Sequence, residues 1–268
     1  MKITVQDVID KLIEPAGRLA ETVDTLQFGD PRAEVAGIVT AFMPTQRVLE
    51  RALELKANLV IVHEPLFYCH QLTESYERDV LDGDPVYAAK RELIVRSGLN
   101  VFRFHDYWHR YQPDGITMGL LEDLDWIGYV KKHGPHYTVV ELPAMTPAQV
   151  AGHIKSRLGL AFVRVAGDAE TPCVRIGILA GNRGRGERSI PLFHKEKLDL
   201  IICGEGPEWE TPEYVRDAVR QGRKASLIVL GHLESEEPGM KALARLLRTW
   251  FPGIPAHFVP EEPVFRIL

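Results

Sequence analysis

Apolar residues along this chain alternate between two spacings. Short continuous β-branched runs, of the kind that bury both faces of a parallel strand, are separated by stretches with apolar positions three or four apart. Val5, Val8, Ile9, Leu12 and Ile13 give the first helical face over residues 4–14, with Thr4 as N-cap and Pro15-Ala16-Gly17 as the stop. Leu26-Gln27-Phe28 is a short extended piece before a Gly-Asp-Pro turn. Residues 35–41 read as a core strand, Pro44-Thr45 opens a helix leading to Lys56, and Leu59-Val60-Ile61-Val62 is a second buried strand. That order is a βαβ unit and implies parallel pairing. Residues 85–96 read as a helix, 99–104 as a strand, Pro113-Asp114-Gly115 as a turn and 118–124 as a short helix.

The rhythm restarts near residue 130. Strands are expected at 137–142, 161–165, 173–179, 198–203 and 225–230, the last being the final core strand. Helices are expected at 146–158 (capped by Thr146), 190–197, 212–221 and 238–250. The alternation predicts an α/β fold of two lobes, 1–128 and 129–268, each with a mostly parallel central sheet flanked by helices.

Composition narrows the function. A 45% hydrophobic content supports ordinary cores, and a net charge of -5 offers no electrostatic footing for nucleic acid. No apolar stretch approaches the roughly 18 residues that cross a bilayer. Lys2, Asp7 and Asp10 interrupt the N-terminal apolar residues, so that segment does not read as a signal peptide. Three cysteines, Cys69, Cys173 and Cys203, are odd in number and lack CxxC spacing, which argues against a disulfide framework or zinc ribbon and for a reducing cytoplasm.

The chemistry gathers at strand ends, where open α/β sheets place ligands. The 59–62 strand runs into His63-Glu64-Pro65, and the 99–104 strand into His105-Asp106-Tyr107-Trp108-His109. The 225–230 strand runs into Gly231-His232-Leu233-Glu234-Ser235-Glu236. His105/His109 and His232/Glu236 are spaced i, i+4, which aligns two side chains if the segment is helical. Four imidazoles and two carboxylates suit zinc, iron, manganese, cobalt or nickel rather than magnesium or calcium. Six donors exceed a four-coordinate structural zinc, so two divalent ions about 3.5–4 Å apart are the economical reading. Each motif also has a structural reading: a loop histidine at 63, a polar cluster at 105–109, a helix cap at 235–236. The Gly181-Asn182-Arg183-Gly184-Arg185-Gly186 loop matches no phosphate-binding fingerprint and reads as a flexible connecting turn. Glu205, Glu208 and Glu210 read equally as cavity-lining groups or a solvated acidic loop.

These phrases, with Gly204-Glu205, resemble the Nif-three-like dinuclear metal-centre family, whose members are often labelled type 2 homologues of GTP cyclohydrolase I. The resemblance spans nearly the whole chain in order and spacing. In much of that family the first motif is His-His and the second His-x-x-x-Asp. Glu64 and His109 stand at the exchanged positions here, with Asp106 as an alternative ligand to His109. The resemblance implies metal ligation by His63, Glu64, His105, His109, His232 and Glu236, a ring-like homohexamer, and the short form without an inserted domain. Two functions follow. One is a metal-dependent hydrolase of an unidentified small molecule, with Glu205 as general base or substrate contact. Trp108 and Trp209 would stack on a nucleotide or pterin-like ring. The other is a non-catalytic metal-binding scaffold or regulatory partner, which a coordinatively saturated site would favour. A Rossmann-type nucleotide binder is disfavoured, because the strand-to-helix turns lack its glycine fingerprint.

Overall fold

A computed structural model describes residues 2–268. The chain forms two contact units. One is the chain up to Gly115 with Met240–Glu262; the other is Ile116–Gly239 with Pro263–Leu268. This differs from a single division near residue 128, because a late segment returns to the first unit. Hydrophobic rhythm marks elements but carries no sign of such a return.

The first unit is built on a sheet ordered β1-β4-β3-β2-β11: β1 (Leu26–Phe28), β2 (Ile38–Ala41), β3 (Leu59–Val62), β4 (Asn100–Arg103) and β11 (Ala256–Phe258). β2, β3 and β4 are parallel and buried along their whole length, as the β-branched runs of β2 and β3 predict. β1 pairs antiparallel with β4 at one edge. β11 lies parallel to β2 at the other, so residues 225–230 are not the last strand. With three residues and His257 at its centre, β11 has no legible apolar run.

Helices α1 (Val5–Ile13), α2 (Gln46–Glu54), α3 (Glu74–Tyr76), α4 (Pro85–Ser97) and α5 (Asp106–Arg110) fall in this unit. Thr4 and Asp7 form a capping box on α1, and Thr45 and Asp84 cap α2 and α4. Val48, Leu49 and Ala52 of α2 and Tyr87 and Ile94 of α4 cover the sheet face made by Val39, Val60, Val62 and Val101. Lys90 of α4 is buried in this region. Its ammonium donates to the Leu66 carbonyl at 2.6 Å and lies over the Phe67 and Tyr68 rings.

The second unit carries β5 (Val130–His133), β6 (Thr138–Met145), β7 (Arg164–Gly167), β8 (Cys173–Leu179), β9 (Leu200–Cys203) and β10 (Ser226–Val229), ordered β5-β6-β8-β9-β10-β7. Only β8, β9 and β10 are mutually parallel; β5, β6 and β7 add antiparallel pairings. This sheet is therefore mixed rather than mostly parallel. Its helices are α6 (Gly115–Asp123), α7 (Pro147–Leu158), α8 (Gly186–Lys195), α9 (Thr211–Arg220) and the start of α10 (His232–Trp250). Leu192 and Phe193 of α8 and Val215 and Ala218 of α9 cover Val139, Leu179, Ile201 and Leu227.

α8 and α10 each begin earlier than their sequences suggest, by four and six residues, and carry Pro191 and Pro238 inside. A proline resembles a helix start because it lacks the N–H that interior positions donate. Beside Pro238, α10 packs closely against α6. A Cβ on Gly119 of α6 would lie 2.5 Å from the Gly239 Cα and 2.6 Å from the Pro238 carbonyl oxygen. The two helix backbones are in contact there, and only glycine fits.

Two predictions follow from this packing. Gly119→Ala will destabilise the protein by about 1–3 kcal/mol in chemical denaturation, although alanine is the better helix former. Gly152→Ala in α7, where a Cβ meets nothing within 4 Å, will instead stabilise it by up to about 1 kcal/mol. Equal effects would contradict the close crossing. Burial lowers the Lys90 pKa from 10.5 to about 8. Below pH 8 the amine is charged in both folded and unfolded chains, and its burial costs stability. Between pH 8 and 10.5 only the unfolded chain keeps the proton, so that cost fades as pH rises. Lys90→Met will therefore be more stable than the parent at pH 7, by on the order of 2 kcal/mol, and the gap will narrow by pH 10. A gap independent of pH would contradict the burial argument.

Candidate metal centre

The register of β3 and β4 sets the first donor group. Val62 lies opposite Arg103, so the chain leaves both strands at one edge, with His63 on one and Phe104-His105 on the other. His63 is fully buried and its Nδ1 lies 3.2 Å from the Phe104 carbonyl oxygen. A carbonyl can only accept, so Nδ1 carries the proton and Nε2 carries the lone pair.

Beyond Phe104 the chain enters α5, whose first N–H groups are held by a carboxylate distant in sequence. Asp24 accepts from the backbone N–H of His105, Asp106 and Tyr107 at 2.8, 3.0 and 2.9 Å. Burial pushes the Asp24 carboxyl up, against the pull of those three bonds. The helical turn realises the i, i+4 spacing: the His109 N–H bonds the His105 carbonyl, and both rings join His63. His63 and His105 stack at 4.6 Å between centroids, and His109 meets them edge-on at 4.8 and 4.9 Å. One ring nitrogen from each lies within 4.8 Å of the others.

His105 and His109 repeat the tautomer logic of His63. His105 donates from Nδ1 to Asp106 Oδ1 at 2.9 Å, and His109 from Nδ1 to Asp114 Oδ2 at 3.0 Å. The His105 bond, with donors from Val23 and Thr22, holds the Asp106 carboxyl well below the usual carboxylate range. Asp106 thus orients His105, while His109 is the group that joins the cluster. Glu64 is buried beside them, with Oε1 3.9 Å from His105 Nε2 and Oε2 3.5 Å from the Arg103 guanidinium.

In the second unit, α10 starts at His232, which places His232 and Glu236 one turn apart. His232 Nδ1 meets Glu205 Oε1 at 3.0 Å, and its Nε2 lies 3.1 Å from Glu236 Oε2. The gap between that nitrogen and that oxygen suits a proton, and ligation of one cation is the other use of the same pair. Gly181 comes close to this carboxylate with φ +66°, and a Cβ there would sit 1.9 Å from Glu236 Oε1. Its N–H donates to the Ser235 hydroxyl at 2.9 Å.

The Gly- and Arg-rich loop is therefore pinned rather than a flexible turn. Gly184 N–H bonds the Glu205 carbonyl, Glu205 N–H bonds the Gly181 carbonyl, and Gly186 N–H bonds the Glu210 carboxylate at 2.6 Å. The start of α8 is occupied by a carboxylate, which leaves no evident phosphate cradle. The tryptophans also depart from expectation. Trp108 is buried against Phe104 and Tyr111 and cannot stack on a ligand. Trp209 is 77% exposed and lines a 410 Å³ pocket with Arg185, Glu187, Glu210, Glu213 and Asp217, an acidic setting that disfavours a phosphorylated ring.

The residues fit a divalent transition metal on donor chemistry. His63, His105 and His109 each have Nδ1 bonded to an acceptor oxygen, from Phe104, Asp106 or Asp114, and so offer Nε2, while His232 is flanked by the Glu205 and Glu236 carboxylates. Carboxylate- or carbonyl-oriented histidines of this kind are the usual setting of a metal ligand. Sequence reasoning missed Asp24, Arg103 and the bond made by Asp114. Asp114 had a signal, an acid five residues after His109, masked by its turn chemistry. Asp24 and Arg103 had none.

Comparison with known proteins identifies the family. The family model described as Duf34/NIF3 (NGG1p interacting factor 3) matches residues 3–263. The chain is 27% identical over 221 residues to a GTP cyclohydrolase 1 type 2 homolog of Clostridium perfringens, covering 80% of this chain and 78% of that one. It is 25% identical over 231 residues to a protein of the same name from Clostridium acetobutylicum, covering 83% and 80%. Among solved structures, a Bacillus cereus protein related to NIF3 superposes with a TM-score of 0.79 at 14% identity over 100% of both chains. Staphylococcus aureus hypothetical protein SA1388 superposes at 0.76 and 18%, again over both whole chains. With its fold matched end to end and the family model covering nearly all of its length, this chain belongs to the Duf34/NIF3 family.

Proposed function

We propose that this chain is a metal-dependent hydrolase of a small molecule, with His63, Glu64, His105, His109, His232 and Glu236 holding two divalent transition-metal ions. The observation that carries the reading is the common polarity of His63, His105 and His109, each with its Nδ1 proton tied to an oxygen and its lone pair on Nε2, beside the carboxylate-flanked His232.

Bound ions of this class supply Lewis acidity and lower the pKa of water towards neutrality. The protein's own part is positioning and charge. Asp106, Asp114, Glu205 and the Phe104 carbonyl fix ring tautomers and orientations, Glu236 brings negative charge to offset the cations, and Glu64 adds a carboxylate oxygen. Glu205 is about half exposed at its side chain, and we assign it a second role as proton acceptor during turnover. The substrate is a small molecule of undefined class, since neither Trp108 nor the Trp209 pocket favours a nucleotide. Among the described residues no helix is long and apolar enough to cross a membrane. We further propose a homohexamer in a reducing cytoplasm, on the strength of the family resemblance and three cysteines that form no disulfide.

Metal analysis of the purified protein after zinc or manganese supply will give about two ions per chain, as a dinuclear site requires. His63→Ala and His232→Ala will each lose metal, and Asp114→Asn will bind it about 10–100-fold more weakly. Glu205→Gln, measured at saturating metal, will lose turnover in a hydrolysis screen of phosphoesters and cyclic amides. A parent protein that takes up no metal, or histidine variants that bind it fully, would contradict the proposal.

A further inference from the structure

Arg103 closes β4 and is 3% exposed, among the most buried charges of the described chain. Its guanidinium donates from Nε to the His63 carbonyl at 3.3 Å and from Nη1 to the His70 carbonyl. From Nη2 it donates to His70 Nδ1 at 3.3 Å and faces Glu64 Oε2 at 3.5 Å. One side chain thus grips both ends of the segment 63–70 and one oxygen of the carboxylate beside the three imidazoles. Buried arginine of this kind requires a counter-charge, and Glu64 is the carboxylate it faces at ion-pair distance.

We infer that Arg103 is a positioning residue of the centre, and that its pairing with Glu64 makes a carboxylate tenable there as a one-oxygen donor. This rests on the metal-centre reading above. The geometry divides the carboxylate. Oε2 is turned to the guanidinium, while Oε1 is the oxygen on the side of His105 Nε2, 3.9 Å away. With Oε2 so engaged, Glu64 reaches a metal through Oε1 alone rather than as a chelate. Charge divides in the same way. The −1 of Glu64 and the +1 of Arg103 cancel, so the pair presents a metal with a donor of no net charge, as an imidazole would. His70 is drawn into the arrangement, because the guanidinium takes the lone pair of its Nδ1. That nitrogen is then closed to a metal, which keeps His70 out of the ligand set despite its ring lying 5.7 Å from that of His105.

The inference separates from a purely structural staple for residues 63–70. A staple would make zinc binding indifferent to what stands at position 64 in relation to Arg103. A charge pair makes the two positions interdependent. Replacing Glu64 by histidine supplies a good ligand but leaves a buried guanidinium uncompensated next to a cation site.

Zinc affinity of the full-length protein, measured by chelator competition, tests this. Glu64→His will bind zinc about tenfold or more weakly than the parent, within the range seen for lost outer-shell partners. Glu64→His/Arg103→Met will recover to within about threefold of the parent, because the unpaired charge is gone. Glu64→His binding as tightly as the parent, or a folded double variant no better than Glu64→His, would overturn the inference. The near-isosteric set Glu64→Gln, Arg103→Met and their combination, melted in chelator, reads the pair without metal. Each single change will lower the midpoint, and the double will lower it by less than their sum. Additive changes would overturn the pairing. A parent protein that binds no zinc, with a non-additive melting cycle, would mark the failure of the metal reading alone.

Discussion

The parallel register of β3 against β4 is the constraint on which the first donor group depends. Val62 faces Arg103 because all four paired positions of each strand are buried, and that pairing leaves His63 beside Phe104 and one residue from His105. A shift of one residue would turn every side chain of the strand to the other face, so burial on both sides fixes the register strongly. The site inherits that rigidity. His63 bonds the backbone of the neighbouring strand rather than a mobile side chain, and α5 is anchored at its first turn by three bonds to Asp24.

Around that frame the polar groups are arranged by polarity rather than by number. Acceptor oxygens sit on the Nδ1 side of His63, His105 and His109, which leaves Nε2 of each as the donor in a cluster where one ring nitrogen per residue lies within 4.8 Å of the others. Three positively charged rings at these separations would repel; three neutral rings with convergent lone pairs form a ligand set. Glu64 and Arg103 show the same economy. A carboxylate placed among imidazoles is balanced by a guanidinium whose remaining donors are taken up by the His63 and His70 carbonyls.

Much of the fold was legible in the residues themselves. The buried runs at 59–62 and 173–179 became β3 and β8 with those bounds, Thr4, Thr45 and Thr146 cap the helices they precede, and the His105/His109 spacing became one helical turn. What escaped was non-local. β11 is three residues long and owes its place to β2, more than two hundred residues earlier, not to any pattern of its own. Pro191 and Pro238 disguise helix interiors as helix starts, and in α10 that hid the fact that the helix already begins at His232. Of the candidate site, the proposed donors were legible because they cluster at strand ends. Asp24, Asp114 and Arg103 were not, because they act through side chains whose partners are set by the folded chain.

The central claim is that the strand-end imidazoles bind metal through Nε2. An anomalous difference map from crystals grown with zinc, collected at the zinc edge, tests it most directly. The account predicts density about 2.0–2.1 Å from the Nε2 atoms of histidines among His63, His105 and His109, with their Nδ1 bonds to Phe104, Asp106 and Asp114 intact. Density on Nδ1, or no ordered zinc at these residues, would contradict it.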